Sequence, residues 1–292
     1  MAQADDDSEE LLTIRDHINH LQKWIHQQQP ILNSLDTDDF LLRFLRVTDF
    51  RLENTKERLI HFWRLRTENP RWFKNRDLLK NPVMYQIAEL AYCIQLPKTT
   101  KDKHFIFLIR LGHYDPTIYT IDDVTRYAFA VTDIINSQST TQLNGFIILL
   151  DFTNIRLRHI RQFTPDRIRR YVDCWEKMYP VHLHQIHFYN YPSIFHPILH
   201  LFRLLYCRDL DDRIYFHSRT SNDSMKRSLH KYIDPSLLPN EYGGQLGSVE
   251  SDMNKSFIEW TQQHNDYMIQ LEKYGIDLKQ ISQVLKKIKR SR

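Results

Sequence analysis

The chain has 292 residues, and its 41% hydrophobic content is enough for one large domain or for a small domain joined to a larger one. Lys and Arg total 40 against 36 for Asp and Glu, so the net charge of +4 is mild, and we expect no nucleic-acid partner. The apolar runs are far shorter than the roughly 20 residues of a membrane-spanning helix, and the polar start DDDSEE does not resemble a secretory signal, so we expect a cytoplasmic protein.

Three amphipathic helices are predicted in the first 75 residues. The first covers residues 9–28, where Leu11, Ile14, Ile18, Leu21 and Ile25 recur at helical spacing. A second follows a cap at residue 36 or 37, and a third runs over residues 52–66 until Asn69-Pro70 stops it. The sequence therefore predicts a small helical bundle.

From about residue 77, apolar runs of strand length alternate with helical segments. The predicted order is a hairpin (92–96 and 104–111), a helix (121–138), a strand (146–152), a helix (165–178), a strand (186–190), a helix from residue 193 and a strand (213–217). This alternation is typical of right-handed crossovers in an α/β sheet. Residues 250–273 and 276–288 are expected to be helical, and the second segment is basic.

Motifs for nucleotide binding or hydrolysis are missing. The six glycines form no G-x-G-x-x-G, no P-loop and no G-x-S-x-G, so we expect neither an enzyme nor a cofactor. Asp151 ends a predicted strand, where a turn residue is favoured over a catalytic acid. Cys93, Cys174 and Cys207 lie among apolar residues, which indicates buried thiols. His182 and His184 lie two apart, but no third ligand follows, so no metal site is predicted.

The stretch 179–213 contains a helix that is apolar on nearly every side. Ile194, Phe195, Ile198, Leu199 and Leu201 begin this pattern, and arginines gather at its far end. A helix of this kind is deeply buried, covers an apolar ligand or touches a membrane. The residue pattern leaves these three alternatives open.

Several motifs occur in order with compatible spacings: FLLRFLR (40–46), LNGFIILLDF (143–152), IHFYNYPSIFHPILHLF (186–202), DRIYFH (212–217) and LPNEYGG (238–244). Together they resemble the CRAL-TRIO lipid-transfer family, in the branch of the alpha-tocopherol transfer and cellular retinaldehyde-binding proteins. The resemblance implies a three-helix domain (9–75) and an α/β/α lipid-binding domain with a mixed five-stranded sheet (77–245). The residue pattern adds a basic helical extension (246–292). It also implies a closed apolar pocket under a mobile gate helix (193–207).

The resemblance carries over pocket residues by position. They are Tyr127, Ala128, Val131, Thr132, Phe146, Ile148, Leu150, Phe163, Tyr171, Cys174, Trp175, Leu183, Ile186, Phe188, Phe195, Ile198 and Leu199. Each of them is otherwise explained as ordinary core. The aromatic walls favour a rigid retinoid, carotenoid or tocopherol. The alternative is a phosphatidylinositol or phosphoinositide transfer or sensing protein.

The resemblance further implies a basic cleft that contacts an anionic membrane transiently. We expect a monomer that is peripheral on membranes. The corresponding residues are His182, His184, Arg203, Arg208 and Arg213. Both histidines, and Asp209, stand where the branch has stronger positive charge, which weakens the expectation of phosphoinositide binding. Solvated surface arginines are the simpler explanation of the others.

Overall fold

The computed structural model describes residues 2–138, 144–205, 212–218 and 222–290. Its α-helices are α1 (Ala2–Gln28), α2 (Asp38–Val47), α3 (Leu52–Glu68), α4 (Pro70–Phe73), α5 (Pro82–Glu89), α6 (Ile121–Ser137), α7 (Leu157–Ile160), α8 (Pro165–Asp173), α9 (His196–Leu205), α10 (Asn222–Leu229), α11 (Asn254–Gln263), α12 (Asn265–Leu271) and α13 (Ile281–Arg290). Its strands are β1 (Leu32–Asn33), β2 (Cys93–Gln95), β3 (Phe105–Arg110), β4 (Phe146–Asp151), β5 (Leu183–Tyr191), β6 (Ile214–Ser218) and β7 (Gly275–Ile276).

Strands β2 to β6 form one mixed sheet, ordered as in the sequence. Strand β2 is antiparallel to β3, with Cys93 opposite Ile109, and the other neighbouring pairs are parallel. Parallel strands with both faces covered consist of continuous apolar runs, and β4 (FIILLD) has that composition. The predicted α/β class and mixed five-stranded sheet are confirmed.

Strand β5 is longer than the prediction of residues 186–190. It begins at Leu183, and its ladder with β4 places Leu183 opposite Phe146 and Gln185 opposite Ile147. The prediction relied on apolarity, which polar residues such as His184 and Gln185 lack. Backbone hydrogen bonding to the neighbouring strand, rather than side-chain polarity, decides where this strand begins.

Helix α6 begins at a capping box. The Thr120 hydroxyl accepts a hydrogen bond from the Asp123 backbone N–H, and the Asp123 carboxylate accepts one from the Thr120 N–H. The helix predicted over residues 165–178 is interrupted, because α8 ends at Asp173 and Cys174–Met178 forms a π-helical turn.

Helices α1, α2 and α3 form the predicted amino-terminal group around aromatic side chains. Trp63 is fully buried, and the rings of Phe40 and Phe62 meet edge-on at 5.6 Å. Helix α3 ends before Pro70 as predicted. Pro70 then lies in the first turn of α4, where a missing N–H costs nothing.

A buried ion cluster joins α3 to α6. Asp133 accepts hydrogen bonds from Arg66 at 2.9 and 3.0 Å and also from Arg76, and all three side chains are nearly inaccessible. Arg76 also donates to the Met268 carbonyl of α12 at 3.0 Å. The cluster therefore connects the amino-terminal group, the α/β part and the carboxyl-terminal helices.

The carboxyl-terminal segment packs back on the rest of the molecule. The single helix predicted over residues 250–273 is wrong, because a π-helical turn (Val249–Met253), α11 and α12 share this stretch and the helix breaks at His264. Strand β7 pairs with β1, with Ile276 opposite Leu32. The segment thus covers the amino-terminal group, while the predicted domain boundaries at residues 75–77 and 245 stay predictions.

Candidate functional site

An apolar cavity of about 130 Å³ lies between one face of the sheet and the helices that cover it. Ile109 is paired with Leu150, and Leu150 with Phe188, so alternation directs these side chains to the same face. The walls are Tyr92, Ile109, Leu111, Ile121, Thr125, Ala128, Phe129, Thr132, Ile148, Leu150, Phe152, Phe163, Ile168, Tyr171, Trp175, Ile186, Phe188, Phe195, Ile198 and Leu199.

One side of the cavity is closed by residues 193–205, hereafter the gate segment, which consists of a 3-10 turn (Ser193–Phe195) and α9. Phe195 is 3% exposed, and its ring lies 4.7 Å from Phe152 and 5.4 Å from Phe163. Ile194 and Leu204, by contrast, are 56% and 69% exposed. The segment therefore covers the cavity with one apolar face and exposes others, which explains a helix that is apolar nearly all round. Residues 206 and 207 of the predicted gate lie outside the described residues.

Most of the predicted pocket residues line this cavity. They are Ala128, Thr132, Ile148, Leu150, Phe163, Tyr171, Trp175, Ile186, Phe188, Phe195, Ile198 and Leu199. Their shared position is a structural finding, while a role in ligand binding stays a prediction.

Tyr127 and Val131 do not line the cavity, and the reason is helical rotation. Ala128 and Thr132 project from the cavity side of α6, and each predicted neighbour lies one residue earlier, about 100° around the helix axis. Tyr127 is fully buried, and Cys93 contributes to its raised pKa, although burial is the main cause. These two residues belong to the core on another side of α6.

Phe146, Leu183 and Cys174 also lie outside the cavity lining. Phe146 and Leu183 are paired at the amino ends of their strands, whereas the lining residues of β4 and β5 come later. Burial raises the pKa of the Cys174 thiol, and the charge of Asp173 raises it further. Cys93 and Cys174 are buried free thiols as predicted, and Cys207 lies outside the described residues.

Several lining residues were missed: Tyr92, Ile109, Leu111, Ile121, Thr125, Phe129, Phe152 and Ile168. Helical spacing back from Ala128 would have found Thr125 and Ile121. Strand alternation would have found Ile109 and Leu111 once β3 was known to lie next to β4. That neighbour relation comes from the tertiary structure.

The cavity wall is neutral. Its hydroxyls include a pair in which Thr125 Oγ1 and Tyr171 Oη lie 2.7 Å apart, so one of the two hydrogens is free for another acceptor. The Thr132 hydroxyl donates to the Ala128 carbonyl at 2.8 Å. Burial raises the pKa of Tyr171 and of Tyr92, which keeps both phenols protonated. None of the described lining residues carries a charge.

Three of the predicted basic residues, His182, His184 and Arg213, lie at the amino ends of β5 and β6. His184 is half-buried and stacks on His104, with ring centroids 3.7 Å apart, and burial and then His104 and His182 lower its pKa. Arg213 is exposed and also lowers the pKa of His184. The nine residues of β5 separate this cluster from Ser193 by about 30 Å at 3.3 Å per residue.

The other two predicted basic positions are less well described. Arg203 lies on α9, its side chain is outside the described part, and Arg208 lies outside the described residues altogether. Of the predicted basic set, the structure therefore brings together His182, His184 and Arg213. Within the described ranges, no group of three or more His, Cys, Asp or Glu side chains could hold a metal ion.

Residues 90–244 match the family model described as CRAL/TRIO domain, which is more than half of the chain. The chain belongs to the CRAL/TRIO family. This confirms the resemblance drawn from the motifs, and the family is one of lipid-binding and lipid-transfer proteins. Residues 11–83 match a model described as a Pinta-like UBA domain.

Relatives of this CRAL/TRIO protein include human alpha-tocopherol transfer protein-like, which is 26% identical over 234 residues, covering 80% of this chain and 66% of the relative. Human clavesin-2 is 25% identical over 266 residues, covering 90% and 80% of the two chains. The crystal structure of Sfh5 has a similar fold, with a TM-score of 0.55 and 13% identity over 86% of this chain and 96% of that one. Among the described helices, none is long and apolar enough to cross a bilayer.

Proposed function

We propose that this CRAL/TRIO protein binds one hydrophobic molecule of the retinoid, carotenoid or tocopherol type and exchanges it at membranes when the gate segment opens. The observation that carries the proposal is the neutral cavity whose wall includes Phe195, Ile198 and Leu199 of the gate segment. The proposed carrier is a cytoplasmic monomer that contacts membranes transiently and performs no reaction.

The cavity size supports a moving gate. Its volume of about 130 Å³ is below the roughly 300–1,000 Å³ typical of small-molecule sites. Admission of a larger ligand requires an outward shift of Phe195 and Leu199, which are 3% and 5% exposed. Exposing such side chains to water costs about 1.5–3 kcal/mol each. Opening of the gate segment is therefore less costly at a bilayer, where the apolar interior of the membrane covers these two side chains instead of water.

Neutrality of the wall supports a ligand without a buried phosphate. A phosphate in this cavity would lack a cationic partner among the described lining residues, and burying an unpaired charge is strongly unfavourable. The Thr125 and Tyr171 pair, with its one free hydrogen, suits a single hydroxyl or carbonyl oxygen instead. The phosphatidylinositol alternative requires the head group to remain outside.

Mass spectrometry of the native full chain and of its solvent extract tests the proposal. A bound retinoid, carotenoid or tocopherol supports it. A stoichiometric phospholipid would contradict the proposed ligand type and favour the alternative. If no lipid copurifies and none is taken up from a panel of lipids, neither function holds.

A further inference from the structure

Another cavity, of about 340 Å³, lies where the amino-terminal group meets the carboxyl-terminal segment. Helix α3 contributes Arg66 to its wall, Lys74 follows α4, and Lys273 lies between α12 and β7. Its volume is within the roughly 300–1,000 Å³ of small-molecule sites, whereas the apolar cavity under the gate segment is smaller. The cavity is therefore large enough for a small ligand without any opening.

Positive side chains dominate the charged part of this lining. Arg66, Lys74 and Lys273 contribute three positive charges, and Asp277 contributes one negative charge, which leaves a net charge of +2 on the described lining. Both lysines are exposed, and neither forms an ion pair with a described residue. The lining therefore favours an anion.

The single carboxylate of the lining is already engaged. Asp277 accepts a hydrogen bond of 2.8 Å from the Lys279 backbone N–H and one of 2.8 Å from the Gln280 side chain. The Lys74 ammonium donates to the Glu272 carbonyl, which leaves two of its three hydrogens for other acceptors. Local hydrogen bonds therefore occupy the carboxylate and leave donors on the cations.

Arg66 is the deepest of these cations, because it is only 3% exposed. Its Nη1 donates to both carboxylate oxygens of Asp133, but its Nη2 has no hydrogen-bond partner among the described residues. A buried charged donor without a partner costs free energy, so an acceptor in the cavity stabilises it. Guanidinium groups bind phosphate and carboxylate oxygens especially well.

The buried ion cluster behind Arg66 also has unbalanced positive charge. Asp133 is one carboxylate shared by two arginines, Arg66 and Arg76. Burial lowers the pKa of Arg76, and the neighbouring charge of Arg66 lowers it further. The two guanidinium groups therefore repel each other, and a second anion close to them reduces that repulsion.

We propose that this cavity, hereafter the junction pocket, binds a small soluble phosphate monoester. A terminal phosphate carries about −1.5 to −2 charges at pH 7, which matches the net charge of +2 on the lining. It accepts a hydrogen bond from Nη2 of Arg66, and Lys74 and Lys273 neutralise it. A terminal phosphate reaches a side chain at this depth, whereas the diester of a phospholipid is flanked on both sides. The site is separate from the apolar cavity and does not depend on the carrier function.

An anion in the junction pocket links segments that are far apart in the chain. Arg66 and Lys74 lie near the amino-terminal helices, and Lys273 lies in the carboxyl-terminal segment. The same junction is joined by the Ile276 N–H, which donates to the Thr67 hydroxyl at 3.2 Å. Because the ligand binds only where these segments meet, it stabilises their packing.

The test is equilibrium dialysis of the full chain against labelled glycerol 3-phosphate at constant ionic strength. The parent should bind it, and Lys74→Gln/Lys273→Gln should bind about 10-fold or more weakly, because two charged partners are lost. The control Lys80→Gln/Lys279→Gln removes the same charge from exposed positions outside the lining and should bind like the parent. No binding by the parent, or equal losses in the two variants, would overturn the proposal.

Arg66 is tested by a separate variant. Arg66→Lys keeps a positive charge beside Asp133 but removes Nη2, so binding of glycerol 3-phosphate should weaken. Thermal unfolding shows whether this variant folds, and the lysine variants decide the question if it does not. Unchanged binding by folded Arg66→Lys would contradict a phosphate at this depth.

Competition identifies the source of the phosphate. Vesicles that contain phosphatidic acid, kept on the protein side during dialysis, should leave binding of glycerol 3-phosphate unchanged. Displacement by these vesicles would assign the pocket to a lipid head group instead of a soluble ester. Displacement by an equal concentration of acetate would show a carboxylate site and overturn the preference for phosphate.

Hydrogen exchange locates the ligand independently of the variants. Glycerol 3-phosphate should slow exchange in β7 (Gly275–Ile276) of the parent, because the ligand holds this segment against α3. The same addition should have no effect on Lys74→Gln/Lys273→Gln. Slower exchange elsewhere with none in β7 would place the ligand at a different site and overturn the proposal.

Discussion

Tyr242 donates a hydrogen bond of 2.7 Å to Oδ2 of Asp151, and both side chains are buried. The bond joins the LPNEYGG loop to the carboxyl end of β4. The other carboxylate oxygen of Asp151 accepts from the Thr153 backbone N–H at 2.8 Å and from its hydroxyl at 2.6 Å. The predicted turn role of Asp151 is confirmed. The tyrosine of the LPNEYGG motif has a structural role, because it hydrogen-bonds this carboxylate.

We expect Tyr242→Phe to lower the free energy of unfolding by about 1–3 kcal/mol, because a buried carboxylate loses one donor. Urea denaturation measures the change. Tyr85→Phe is the control, since Tyr85 is 38% exposed and should be neutral. Equal stability of Tyr242→Phe and the parent would show that the bond does not stabilise the fold.

The buried ion cluster gives a second prediction. Asp133→Ala leaves Arg66 and Arg76 buried without their shared carboxylate, so we expect a loss of about 3–5 kcal/mol in unfolding free energy. Asp166→Ala breaks the exposed pair with Arg170 and should cost less than about 1 kcal/mol. Similar losses in the two variants would contradict a special role of the cluster.

The gate segment has matched inner and outer positions. Phe195→Asp/Leu199→Asp places two carboxylates against the apolar cavity, so retention of bound retinol in solution should be lost. Ile194→Asp changes the adjacent exposed residue and should preserve retention. Fluorescence of retinol after gel filtration measures this. Retention by the double variant would exclude the proposed closure.

The hydroxyl pair in the cavity wall predicts ligand selectivity. Thr125→Val/Tyr171→Phe, which removes both hydroxyls, should weaken binding of retinol by about 5–10-fold, the effect of one hydrogen bond, and leave binding of a hydrocarbon analogue unchanged. Thr132→Val is the control, because its hydroxyl already donates to the Ala128 carbonyl. Equal effects on both ligands would mean that the pair does not contact the ligand's oxygen.

Two buried histidines predict loss of stability in acid. His187 Nδ1 and His217 Nε2 lie 3.0 Å apart, and burial lowers the pKa values to about 3 and about 4. Both are below the unfolded value of about 6.5. Their contribution to stability is therefore complete above about pH 6.5 and is lost as the pH falls toward 4 and then 3.

The urea midpoint as a function of pH measures this effect. His187→Gln should flatten the decline between pH 6.5 and 4, and the exposed His200→Gln should leave it as steep as in the parent. A decline of the same steepness in His187→Gln would assign the acid sensitivity to other groups.

The sequence by itself determined the elements that carry strong local signals. Apolar runs identified β3 and β4, the helix predicted over residues 121–138 corresponds to α6, and the ordered motifs identified the family. Alternation also placed Ile148 and Leu150 correctly on one face. These features depend on residues that are close in the chain, so periodicity and motif spacing record them.

The tertiary structure decided which part of each face meets the cavity. Phe146 shares its face with Ile148 but lies at the wrong end of the strand, and Tyr127 is turned away from Ala128 by one residue of helix. It also decided that β7 pairs with β1 and that Tyr242 bonds to Asp151. Local periodicity defines which residues share one face of a helix or strand. Which part of that face meets the cavity, and which segment packs against it, depend on contacts between segments far apart in the chain.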